Sequence, residues 1–62
     1  MEENQQEIQE RLSHLENIRL LLEEARVHAR EIGSPEGGQI DTQIATMLSE
    51  INKQIHNLRV SS

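Results

Sequence analysis

Sixty-two residues with no cysteine, with eleven acidic and six basic side chains, exclude several classes of protein at once. So short a chain buries only about 60% of its unfolded surface, so it needs a staple, and a disulfide is not one that it has. The formal net charge of −5 opposes phosphate backbones and anionic membrane surfaces, and the absence of Phe, Tyr and Trp removes the stacking platform of single-strand binders.

No nucleic-acid or membrane partner is therefore expected. No Cys/His cluster stands at zinc spacing, so no metal or other cofactor is expected either. Association with another protein chain remains as the staple. The acidic balance fits solubility, or a basic protein partner.

The opening Met1-Glu2-Glu3-Asn4 has neither the basic nor the apolar region of a signal peptide. The longest apolar run is Leu20-Leu21-Leu22, far short of a membrane span. A cytoplasmic location is the expectation.

From Ile8 the apolar positions keep helical time. Ile8, Leu12, Leu15, Ile18, Leu22, Ala25, Ala29 and Ile32 recur by threes and fours, the pattern of an amphipathic helix. The first helix is expected over about 4–32, roughly 42 Å long, with a fraying polar start. Charges at helical spacing (Glu7 with Arg11, Arg19 with Glu23, Glu16 with Arg19, Glu23 with Arg26) predict intrahelical ion pairs. Leu21 and Ile32 widen the stripe on one flank. Leu20 and Val27, seven apart, lie off it. Leu20, Leu21 and Val27 together are a candidate outer contact surface.

The break is Gly33-Ser34-Pro35-Glu36-Gly37-Gly38, which holds every glycine and the only proline. Gly33 suits the left-handed position after a helix, Ser34 an N-cap, Pro35 the first helical position. The turn is placed at about 33–38. The second helix is expected over about 36–59, with a later start near Gln39 as the alternative. The glycines do not make a phosphate loop, because no strand precedes them and no Lys or Ser/Thr follows.

In the second helix Ile40, Ile44, Met47, Leu48, Ile51, Ile55 and Leu58 form one stripe. Folding the chain back at Pro35 pairs Ala29 with Ile40 and Ala25 with Ile44. It pairs Leu22 with Met47 and Leu48, Ile18 with Ile51, Leu15 with Ile55, and Leu12 with Leu58. Every pair of position numbers adds to 69 or 70, so one register satisfies all of them. The expected fold is all-α: residues 1–62 as a single antiparallel αα-hairpin. One hairpin leaves its seam half wet, so dimerisation into a four-helix bundle is expected, with these stripe residues as helix–helix and dimer interface.

No constellation supports catalysis, and the chain is read as a non-enzyme. Glu10 with His14 and Glu24 with His28 are i,i+4 pairs, but no two of His14, His28 and His56 stand at ligand spacing. Ser34 has no nearby base. Ile40-Asp41-Thr42-Gln43-Ile44 is similar to the Leu-Asp part of the motif of Spo0E-like phosphatases, which are also small helical hairpins. That resemblance implies an aspartyl-phosphate phosphatase. The Ser that the motif sets four positions before the Asp is Gly37 here, and the interhelix segment is shorter. Small type III secretion co-chaperones are similar in outline, which implies a hairpin that covers one client protein. The leading expectation is a small acidic hairpin acting through protein–protein contacts, as a homodimer, regulator, adaptor or assembly factor. A co-chaperone or inhibitor is second, and the phosphatase last.

Overall fold

Two helices make up the computed structural model, which describes residues 2–61 and the side chains of 5–61. The first, α1, runs over Glu2–Ile32, and the second, α2, over Glu36–Ser61. They pack against each other as a hairpin.

No Gly or Pro interrupts α1, and its Leu, Glu, Gln and Arg residues are strong helix formers. Gly33 ends it with φ +86°, a conformation that costs a Cβ-bearing residue steric energy. The Gly33 carbonyl accepts the Gly37 N–H at 2.6 Å, and the Pro35 carbonyl accepts the Gln39 N–H at 3.1 Å. Pro35 thus takes the cap position assigned to Ser34, and helix begins at Glu36. The backbone carbonyl of Gly33 satisfies the Gly37 amide, one that the Ser34 hydroxyl was expected to cap. The Ser34–Pro35 peptide bond is cis.

Along α2 the buried positions are Gly37, Ile44, Leu48 and Ile55, spaced seven, four and seven. That is the heptad spacing of one helix seated along another. On α1, Leu12 and Ala29 are buried against it. Ile8, Leu15, Leu22 and Ala25 are half-buried, as are Ile51 and Leu58 on α2.

Near the turn the register differs from the expected one. Gly37, rather than Ile40, lies against Ala29. A Cβ at position 37 would fall inside the Ala29 carbonyl oxygen and lie 3.3 Å from the Ile32 Cβ. The helices approach so closely there that only glycine fits. Ile40, three residues on, is turned out of the seam and exposed.

The expected intrahelical ion pairs do not form among the described residues. Arg26 reaches Asp41 and Glu16 reaches Arg59, both across to the other helix. A partner on a facing helix offers these side chains a second contact that an i,i+4 neighbour does not.

The hairpin is long and thin, with extents of 49 × 14 × 9 Å and a radius of gyration of 14.6 Å. A compact chain of this length has a radius near 10.5 Å. The accessible surface is 4924 Å², against about 4,100 Å² for a folded monomer of the same mass.

Candidate protein interface

The seam divides the hairpin into two sides of different chemistry. An α-helix turns about 100° per residue. In antiparallel helices the two rotations mirror each other across the seam. Residues that lag the seam on α1 and those that lag it on α2 therefore share one side, and those that lead it share the other.

The leading side is polar. Arg26 donates to Asp41 twice, Nε at 2.7 Å and Nη2 at 3.2 Å. Nearer the open end, Arg59 Nη2 donates to Glu16 Oε2 at 2.6 Å. The Arg26 hydrogen bond and charge, with help from Arg30, hold the Asp41 carboxyl below its usual range, against the opposing effect of burial. The same hydrogen bond and charge push the Arg26 guanidinium up. A shallow depression on this side is lined by Arg30, Ser34, Gly38 and Asp41.

The lagging side is apolar. Ile18, Leu21 and Ile32 of α1 and Ile40 and Met47 of α2 are exposed there, Leu21 to 66% and Ile32 to 59%. Half-buried Ala25, Ile51 and Leu58 fill the strip between them and the seam. The strip runs from the turn past the middle of the hairpin. Towards the open end it gives way to a groove of about 440 Å³, floored by Leu15 and Leu58 and rimmed by Arg11, His14, Gln54 and Asn57.

The expected interface residues therefore fall into three sets. Leu12, Ala29, Ile44, Leu48 and Ile55 are buried within the hairpin. Leu15, Leu22, Ala25, Ile51 and Leu58 are part-covered, while Ile18, Ile40 and Met47 stand open. Of the candidate outer surface, Leu21 lies with Ile18 and Ile32 on the apolar side. Leu20 and Val27, exposed to 58% and 54%, sit about 100–120° round the helix from Leu21, behind the polar side.

The two cross-helix ion pairs were missed by sequence reasoning, though a signal was present. Arg26 with Asp41 has position numbers adding to 67, close to the register that the apolar pairs define, whereas Glu16 with Arg59 adds to 75, more than a helical turn away from it. Opposite charges at matching heights beside the seam would have found the first alone.

No group of three or more His, Asp or Glu residues stands close enough to hold a metal ion among the described residues. His14, His28 and His56 are all exposed. Asp41, the residue that carries the phosphatase resemblance, spends both carboxylate oxygens on Arg26, and Gly37 stands where that motif has its serine. No helix is long and apolar enough to cross a membrane among the described residues. No family model matches the chain, and no curated protein or solved structure matches it either.

Proposed function

We propose that this chain is a self-associating helical hairpin, whose role in the cell is exercised through protein–protein contacts. The observation that carries the reading is the sidedness of the hairpin. Ion pairs bridge the helices on one side, while a continuous apolar strip lies open on the other. A helical layer with an apolar face needs a second layer, and the simplest source is another copy. The amount of surface agrees. The hairpin exposes about 800 Å² more than a folded monomer of its mass, which is close to what one partner buries in a standard interface.

The product would be an acidic four-helix bundle serving as adaptor, regulator or assembly factor, with no catalytic step of its own. The pairing of Asp41 with Arg26 supports the non-enzymatic reading, since a carboxylate committed to an intramolecular guanidinium is a poor nucleophile or base. Sedimentation equilibrium at micromolar concentration tests the reading. Twice the 7.1 kDa chain mass is expected. A folded species at 7.1 kDa would reject self-association and leave a client protein as the partner that covers the strip.

A further inference from the structure

Leu20 and Val27 are exposed to 58% and 54%, and neither the seam nor the apolar strip uses them. They stand seven residues apart on α1, which sets one above the other, about 10.5 Å away, on its outer face. We propose that this face docks a basic amphipathic helix of another protein, and that it is separate from the strip proposed to meet a second copy.

On a helix surface the neighbours of a residue are those three and four positions away. For Leu20 these are Glu16, Asn17, Glu23 and Glu24, and for Val27 they are Glu23, Glu24, Arg30 and Glu31. The aliphatic pair thus runs between two acidic rails. Glu16 and Glu23 form the one towards the polar side of the hairpin, and Glu24 and Glu31 the one away from it. The apolar strip has other surroundings. The same neighbours of Ile18 are His14, Leu15, Leu21 and Leu22, with no carboxylate among them.

The rails select the occupant. Glu16 spends its carboxylate on Arg59, and Glu23 lies near Arg26, whose guanidinium is held by Asp41. Glu24 and Glu31 are exposed and form no ion pair among the described residues. A second copy laid on this face by two-fold symmetry would bring carboxylate against carboxylate, and like charges at a contact suppress the pairing. A phosphate backbone or an anionic membrane is opposed in the same way. A helix with Lys or Arg on both flanks of an aliphatic stripe instead meets Glu at each flank and Leu20 and Val27 between them. Charged flanks choose the partner of paired helices in this way. A lysine of that helix can also lay its methylene stem along the aliphatic pair while its ammonium reaches a rail. Arg30, the one cation among these neighbours, stands at the turn end of the face.

A fluorescent lysine–leucine peptide that forms an amphipathic helix is the probe, read by anisotropy against the full chain. Binding at micromolar concentration is expected, weakening as salt is added, and no binding would overturn the proposal. Leu20→Ala with Val27→Ala should weaken it about 10-fold or more. Leu20→Glu with Val27→Glu should weaken it too, although that pair makes the face more acidic. Unchanged affinity in the alanine pair, or tighter binding in the glutamate pair, would mean attraction by net charge alone and overturn the proposal. Amide chemical shifts give the location. Perturbations should centre on Leu20, Glu24 and Val27, and perturbations centred on Ile18 and Met47 would put the peptide on the apolar strip and overturn it. Light scattering keeps the two faces distinct, because the alanine pair should leave the mass of the free chain unaltered. A fall in that mass would make this face part of the contact between copies and contradict its separateness.

Discussion

The two sides of the hairpin are built from the same two helices, yet they end in opposite chemistry. On one side, Arg26–Asp41 and Glu16–Arg59 tie α1 to α2 within the chain. On the other, Ile18, Leu21, Ile32, Ile40 and Met47 stand in water. The ion pairs hold the two helices to each other, and the aliphatic strip is the surface proposed to meet a second copy. The ion pairs satisfy their charges internally and leave that side soluble. The aliphatic strip leaves its surface unspent, and half-exposed aliphatics stabilise only when something covers them.

The largest effect is expected from making the apolar side polar. Ile18→Glu combined with Met47→Glu should weaken association on the order of 100-fold or more, since each removes a central aliphatic contact and places charge in a dry layer. Light scattering checks the mass, and far-ultraviolet circular dichroism should show helicity falling with it.

Two neighbouring glycines meet different surroundings at the seam. Gly37→Ala puts a methyl group into the Ala29 carbonyl, and forcing the helices apart should cost about 1–3 kcal/mol. Gly38 has open space around its Cα, and Gly38→Ala should stabilise by roughly 0.5–1 kcal/mol through helix propensity. Thermal melts of the pair should move in opposite directions. Equal shifts would mean that the close approach at position 37 is not what sets the helix spacing.

Acid probes the polar side. Arg26 keeps the Asp41 carboxyl below its usual range, so the folded state binds that proton less readily than the unfolded chain. The resulting stability is fully present above the unfolded carboxylate value, about pH 3.9, and is lost as the pH falls through the lower folded value. Asp41→Asn should flatten this part of the pH–stability curve while leaving association near neutral pH unchanged. An unchanged curve would remove Arg26–Asp41 as a contributor.

The smallest effect is expected behind the polar side. Leu20→Glu with Val27→Glu should change stability by no more than about 0.5 kcal/mol and leave the mass unaltered. A clear loss of assembly would move the interface to the back of α1.

Much of the fold was legible because it depends on periodicity. The threes and fours of α1 and α2 and the clustered glycines define two helices and a reversal, and Gly33 ends the first helix where expected. Two features were not legible. Close approach at Gly37 depends on backbone distance, which a hydrophobic pattern does not encode, so Ile40 was paired with Ala29. The sidedness arises from how far each residue leads or lags the seam. Ile18 and Met47 read as core members of the stripe, and only the true direction of the seam turns them outward. The ion pairs were not legible because Glu16 and Arg26 also have oppositely charged neighbours at helical spacing on α1.

If a second copy completes this fold, as proposed, the melting of the hairpin depends on its concentration. If the apolar side is covered in a dimer, unfolding and dissociation are coupled. The midpoint measured by circular dichroism should then rise steadily as the chain is concentrated from one to several hundred micromolar. A cooperative transition whose midpoint stays fixed across that range would contradict the proposal and make the hairpin a monomer that is stable with its apolar side in water.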